Sequence, residues 1–298
     1  MMDFRIGIDL GGTKTEIIAL DHLGGTLLRR RIPSPKLYDD VIAALADLVR
    51  QAEHELGGVG SVGVGIPGTI SPATGLVKNA NSSGLNGHPL DADLSAALGR
   101  PVRTANDANC FTLSEATDGA AQGCGVVFGV ILGTGLGAGV VVGGKIIEGR
   151  HRIAGEFGHN PLPWPGADEY PGLRCWCGQF GCQETMLSGT SLAMSCDGPG
   201  ARDASSLPQR AEAGDAQARL ALERHVDRLA RAFAQVINTL DPDTIVLGGG
   251  LSNMEHLYKL LPKLIPRHVF SDVCDTPILK NVHGDSSGVR GAAWLWPL

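Results

Sequence analysis

Apolar residues in this chain fall into short runs cut by glycine and proline. Residues 4–10, 15–20 and 26–32 are such runs, separated by Gly11-Gly12 and Gly24-Gly25. This predicts three strands joined by tight turns. The spacing then changes: Val41, Leu45, Leu48, Val49, Ala52 and Leu56 recur at helical intervals, with Asp39 or Asp40 as the cap and Gly57-Gly58 as the stop. Residues 62–66 read as a strand halted by Pro67. Residues 102–105 read as another, with a helix over 107–121. The pattern restarts at 126–132, 138–142 and 145–148, again three short strands around glycine turns. A long amphipathic helix through Leu222, Val226, Leu229, Phe233, Ile237 and Leu240 stops before Pro242, and a strand at 244–247 runs into Gly248-Gly249-Gly250. Residues 150–185 and 195–212 read as irregular, and helices near 254–268 and 286–296 close the chain. The recurrence of strand–glycine–strand at 4–20 and 126–142 predicts an α/β fold of two like halves around a cleft.

Charge narrows the partners. Lys and Arg total 25 against 31 Asp and Glu, a net −6, which argues against nucleic acid or an anionic membrane as the main partner. Residues 119–144 carry no charge and imitate a membrane span, but seven of the 19 residues from 126 to 144 are glycine. Two buried strands and a turn fit better than a spanning helix. Residues 1–9 lack a basic start with a long apolar run, so no secretion leader is expected and the cytoplasm is the expected compartment. Of seven cysteines, Cys110, Cys124, Cys196 and Cys274 are scattered and read as small apolar residues. Glycine is abundant, at 42 residues, which implies tight turns and close backbone approach.

Several segments carry candidate chemistry. Asp9-Leu10-Gly11-Gly12-Thr13-Lys14 lies between two strands. Its glycines let backbone N–H groups approach phosphate, Thr13 adds a hydroxyl and Lys14 a charge, and Asp9 is suited to hold a metal ion through water. Gly133-Thr134-Gly135-Leu136-Gly137 is the equivalent turn of the second half and can cradle phosphate from the other side. Gly63 to Gly68 matches G-x-G-x-x-G, but Pro67 and Pro72 deny it the helix a dinucleotide site needs. Cys175, Cys177 and Cys182 place three thiolates within eight residues, one ligand short of a tetrahedral zinc site. Asn106-Asp107 reads, from spacing alone, as a helix cap. Glu148 and Glu169 read as solvated surface.

The segments DLGGTKT at 9–15, AND at 105–107, LGTGLGAG at 132–139, GEFGH at 155–159, CWCGQFGCQE at 175–184 and LGGG at 247–250 together resemble the ROK branch of the actin-like sugar kinases. They span the chain in the family's order. The stretches at 79–87, 158–164 and 283–297 look like bacterial fructokinases of the manno(fructo)kinase type. The resemblance implies duplicated actin-like (ribonuclease H-like) domains flanking an interdomain cleft. The first would be 1–113, with a C-terminal helix at 286–298 packing back on it, and the second 114–285, carrying a zinc loop at 159–182. With the first strand predicted at residue 4, the DNA-binding domain of the ROK repressors is not expected.

The resemblance also assigns roles. Asp107 would be the general base that accepts a sugar hydroxyl proton during attack on the γ-phosphate. Asn106, Glu156, His159 and Glu184 would bind sugar, with Gly68 and Asn81 lining the same pocket. ATP would lie against Asp9, Gly11, Gly12, Thr13 and Lys14 on one side and Gly133, Thr134 and Gly135 on the other, with Gly248, Gly249 and Gly250 at the adenosine. Mg2+ would accompany ATP. Structural Zn2+ would be held by Cys175, Cys177, Cys182 and His159, with His151 the alternative fourth ligand. The expected activity is phosphorylation of a hexose at its 6-hydroxyl, fructose first and mannose also. The alternatives are a glucokinase or N-acetylhexosamine kinase and, in a different class, a non-catalytic sugar-sensing regulator. A homodimer is expected from the family, and the excursion at 160–174 is open between lid, dimer contact and neutral loop.

Overall fold

The computed structural model describes residues 4–80 and 84–297. Its first sheet is built from β1 (Arg5–Leu10), β2 (Lys14–Leu20), β3 (Thr26–Pro33), β4 (Ser61–Ile66) and, after a small hairpin of β5 (Thr69–Ile70) and β6 (Val77–Lys78), β7 (Val102–Asn106). Helix α1 (Tyr38–Leu56) joins β3 to β4, and α2 (Leu90–Leu98) precedes β7. After α3 (Asp107–Asp118) comes the second sheet: β8 (Val126–Leu132), β9 (Leu136–Val142), β10 (Lys145–Ile146), β11 (Thr244–Gly248) and β12 (Ile278–Lys280). Between β10 and β11 lie α4 (Glu184–Leu187), α5 (Gly189–Asp197), α6 (Leu207–Glu212) and α7 (Ala216–Leu240). Helix α8 (Glu255–Leu264) comes after β11, and α9 (Ser287–Ala293) closes the chain.

The strand orders β3-β2-β1-β4-β7 and β10-β9-β8-β11-β12 are the same arrangement twice. In each, two antiparallel pairs are followed by two parallel ones. The predicted duplication is therefore present at the level of the sheets. The uncharged stretch at 119–144 contains the β8–β9 hairpin, paired from Val126↔Val142 to Leu132↔Leu136. Among the described residues no helix is long and apolar enough to cross a membrane.

Each sheet buries its outer face separately. Ile6, Ile8, Val62 and Val64 pack under Leu45 and Val49 of α1 and Leu94 of α2. Phe128, Val130 and Leu247 pack under Leu229, Phe233 and Ile237 of α7 and Leu257 of α8. The inner faces meet α9 and α3, and this contact requires glycine at several positions. A Cβ on Gly7 of β1 would lie 2.1 Å from the Val289 oxygen, and one on Gly63 of β4 would lie 1.9 Å from the Ala292 oxygen. One on Gly291 would lie 1.7 Å from the Cys110 oxygen, and one on Gly129 of β8 2.2 Å from Thr112 Oγ1. Sheet, α9, α3 and sheet thus touch backbone to backbone. The half-match to a dinucleotide motif at 63–68 owes a glycine to this helix contact.

Helix α3 is tied to the chain's end by buried polar groups. The fully buried Glu115 carboxylate accepts from the N–H groups of Ala120, Val282 and His283 and from Ser287 Oγ. Asp118 accepts from His283, Arg290 and Trp294 Nε1.

Several local expectations are corrected. Neither Asp39 nor Asp40 caps α1; Leu37 stands at the cap and both aspartates lie in the first turn. Residues 195–212 contain the end of α5 and all of α6, where polar and Gly/Pro composition masked the helices. Glu169 is not surface: its side chain is 8% exposed, paired with Arg228 Nε at 2.7 Å and Arg231 Nη2 at 2.9 Å. These ion pairs, Arg231 donating to the Trp164 oxygen, and Trp164 stacked on His268 hold the 160–174 excursion down on α7. Glu148 does lie at the surface, near Arg152.

Candidate active site

A cavity of about 880 Å³ opens between the two sheets where strand ends meet loops. Gly68, Asn106, Asp107, Glu156, His159 and Glu184 all line it. Asn81 lies outside the described residues.

The strand β7 delivers Asn106 and Asp107. The Asn106 side chain caps α3, accepting from Ala108 N–H at 2.9 Å, and donates to the Gly68 oxygen at 3.1 Å. The cap seen in sequence is thus real, and it fixes the neighbouring Asp107 at the mouth of the helix. Asp107 Oδ1 accepts from Ala108 N–H at 2.8 Å. Burial pushes its carboxyl up to about 6; the Ala108 bond opposes this and the charge of Glu156 adds to it. A carboxylate poised near neutrality is suited to accept a hydroxyl proton. Gly68 is in the left-handed region, φ 74°, and a Cβ there would lie 2.3 Å from the Lys78 oxygen, so no other residue fits.

The opposite wall comes from the long insertion between β10 and α4. Glu156 precedes a 3-10 turn, Phe157–His159, that turns the chain back toward β9. Burial raises the Glu156 carboxyl, and so does the charge of Glu184. Glu184 begins α4; its Oε2 accepts from Leu136 N–H at 3.2 Å and its Oε1 from Trp176 Nε1 at 2.7 Å. Lys78 Nζ donates to the His151 oxygen at 3.2 Å, so the two halves also touch across the cavity's edge.

The turn between β8 and β9 divides two spaces. Gly133 and Thr134 line the large cavity and also a second one of about 310 Å³, together with Thr190, Arg202, Gly250 and Leu251. Of Gly248, Gly249 and Gly250, only Gly250 lines this second cavity. Gly248 is packed on the Phe111 ring, where a Cβ would lie 2.4 Å from it, and Gly249 backs Leu132 and Gly133. Asp9, Gly11, Gly12, Thr13 and Lys14 line neither cavity. Asp9 is held at a raised carboxyl, about 6, by burial and by the charges of Asp107 and Glu16.

Beside the large cavity, one ligand atom each of His159, Cys175, Cys177 and Cys182 lie within 4.8 Å of one another. Zinc bonds of about 2.3 Å to sulfur and about 2.0 Å to nitrogen, at tetrahedral angles, separate two sulfurs by about 3.8 Å and nitrogen from sulfur by about 3.5 Å. Cys177 and Cys182 sulfurs are 3.6 Å apart, and His159 Nδ1 is 3.6 Å from Cys175 Sγ. The donor set therefore fits zinc. The alternative ligand, His151, is not in this cluster.

The profile of the ROK family matches residues 5–298. The chain belongs to the ROK family. It is 41% identical over 296 residues to the N-acetyl-D-glucosamine kinase of Pectobacterium atrosepticum, covering 97% of each chain. It is 40% identical to that of Yersinia enterocolitica, covering 97% of this chain and 98% of the relative. Its fold is similar to the ROK hexokinase from Thermus thermophilus (TM-score 0.86, 32% identity, 97% and 96% of the chains). It is also similar to the ROK glucokinase from Streptomyces griseus in complex with glucose and AMPPNP (TM-score 0.79, 28% identity, 98% of each chain). Sugar kinase is the activity common to this ROK chain and these relatives.

Sequence reasoning missed several lining residues. Trp176 and Ile153 line the large cavity, and Thr190 and Arg202 the small one. Ser34 fixes the first glycine turn: its Oγ donates to the Gly11 oxygen at 2.6 Å and its N–H to the Thr13 oxygen at 3.0 Å. Trp176 carried a signal, since an indole between two cysteines of a polar loop needs a partner for its N–H.

Proposed function

We propose that this ROK chain transfers the γ-phosphoryl group of ATP to the 6-hydroxyl of an N-acetylhexosamine, N-acetyl-D-glucosamine first. The observation that carries the reading is the shared wall: Asp107 stands in the larger cavity, and Gly133 and Thr134 separate that cavity from the smaller one. Sugar in the first and nucleoside in the second would bring the reacting groups together at this turn. The relatives at 40–41% identity favour the acetylated sugar over the fructose suggested by the connecting stretches.

In this mechanism Glu156, His159, Glu184 and Asn106 hold the sugar hydroxyls. Asp107 takes the 6-hydroxyl proton as that oxygen forms its bond to the γ-phosphorus. The bond to the bridging oxygen breaks and ADP leaves with the electron pair. Because the Gly133 N–H is spent on the Gly135 oxygen, the N–H groups of Thr134 and Gly135 would meet phosphate oxygens, and Lys14 would add charge from the first half. Mg2+, which neutralises phosphate charge when bound, would be held near Asp9. Zinc on Cys175, Cys177, Cys182 and His159 would fill all four positions and hold Glu156 and Glu184 in place, without activating water. The proposed domains are 1–113 with the C-terminal helix and 114–285, a boundary that falls within α3.

Coupled ADP release from ATP and Mg2+ with N-acetyl-D-glucosamine, N-acetyl-D-mannosamine, glucose, mannose and fructose tests the proposal. The acetylated glucosamine should give the highest kcat/KM. Highest turnover on fructose would overturn the substrate, and sugar binding without turnover on any hexose would overturn the kinase.

A further inference from the structure

Trp176 is an unusual residue for its place. It is 66% exposed, yet it lines the sugar cavity and is fixed at two points. Its Nε1–H donates to Glu184 Oε1 at 2.7 Å, and its ring meets the His159 ring edge-on, with centroids 4.9 Å apart and planes at 89°. It stands between Cys175 and Cys177, so the loop that clusters the thiols also sets the indole.

The consequence falls on Glu184. One oxygen accepts from Trp176 and the other from Leu136 N–H at the start of β9. A carboxylate with one fixed donor on each oxygen keeps a lone pair on each for a pair of neighbouring sugar hydroxyls. Glu156 lines the same cavity, so two like charges face one sugar, and a carboxylate held only by its own rotamers would turn away from the other. On the β9 side the approach is close: a Cβ on Gly135 would lie 3.1 Å from Glu184 Oε2. Phenylalanine would pack on His159 equally well; only the indole supplies the N–H.

We propose that Trp176 is a positioning residue for sugar recognition, whose N–H orients Glu184 and carries the order of the cysteine loop into sugar affinity. This rests on the reading of Glu184 as a sugar ligand. Trp176→Phe should raise the sugar KM about tenfold, the scale of a lost hydrogen bond to a charged group. Its kcat should stay within about twofold, because the bond is made before and during transfer alike. ATP KM and zinc per chain should not change. In a Glu184→Ala background, which lacks the acceptor, the same substitution should add less than about twofold, since the two act as one unit. An unchanged sugar KM, effects that multiply across the two substitutions, or loss of zinc together with affinity would each overturn the proposal. Calorimetric titration with N-acetyl-D-glucosamine reads the same affinity change without turnover. A chain that phosphorylates no hexose but shows the tenfold loss on titration would therefore lose its assigned reaction and keep Trp176 in this role.

Discussion

The turns β1–β2 and β8–β9 occupy the same place in a duplicated unit and have come to differ. Both close with a short backbone bond: Gly11 N–H to the Lys14 oxygen, and Gly133 N–H to the Gly135 oxygen, each at 3.1 Å. The first turn is exposed, braced by Ser34, with Lys14 55% exposed and 4.0 Å from Asp285. The second is also exposed at its tip, Thr134 and Gly135, but neighbours back it on one side. Gly189 N–H donates to the Gly133 oxygen at 2.7 Å, and Glu184 lies against Gly135. The difference lies in the chain beyond each hairpin. After β3 it passes almost directly into α1, whereas after β10 it makes the long insertion that brings Glu156, His159, the cysteines and Glu184. A duplicated scaffold gives two equivalent turns; the insertion decides which one becomes a wall of the site.

If the first half supplies the base and the second the grip, Asp107→Asn has the largest effect. Its kcat should fall by about 10²–10⁴-fold while calorimetry shows sugar binding retained. In the unaltered chain, activity should be flat above pH 6 and fall below it, because Asp107 is protonated below its carboxyl value of about 6. An active Asp107→Asn chain would move the base elsewhere.

The second half's insertion is anchored through Glu169, so Glu169→Gln tests what holds the wall up. Removing the Glu169 charge leaves Arg231 with only the half-exposed Asp227 as a carboxylate partner and should cost about 1.5–3 kcal/mol in denaturant unfolding. Hydrogen bonds from Arg231 and Arg228, outweighing burial, hold the Glu169 carboxyl down at about 2. Its contribution is therefore full above the ordinary glutamate range and is lost as pH falls through about 2. A variant as stable as the parent would make the anchor dispensable.

The smallest pair of effects compares the turns directly. Gly135→Ala presses on Glu184 and should raise the sugar KM about tenfold, the worth of a disturbed charged hydrogen bond, with ATP KM little changed. Lys14→Ala should do the reverse: an exposed charge is worth up to about 1 kcal/mol, or about fivefold in ATP KM. Equal effects of both substitutions on both substrates would mean that the turns are not specialised.

Much was legible from local pattern. The strand runs, the restart at residue 126, the glycine turns and the cysteine triplet all depend on residues close in sequence. Their order alone carried the family and the doubled sheet. Asp107 was found only through its motif, since spacing read Asn106-Asp107 as a cap, and Asn106 does cap α3. Glu169 was misread because its arginine partners lie about sixty residues away on α7, at Arg228 and Arg231. Gly248 reads from sequence as an adenosine contact, because a glycine needed for a phenylalanine ring and one needed for a ligand look alike there.

The sequence by itself determined the strands of the two hairpins, the longest helices, the duplication and the inventory of chemical groups, because periodicity, turn residues and motif spacing act over a few positions. Only the tertiary structure decided which of those groups share a cavity. It placed Glu184 between an indole and a glycine turn, and α9 against β1 and β4 through Gly7 and Gly63. Such contacts depend on which distant backbones can approach, and close packing settles that for the whole chain at once.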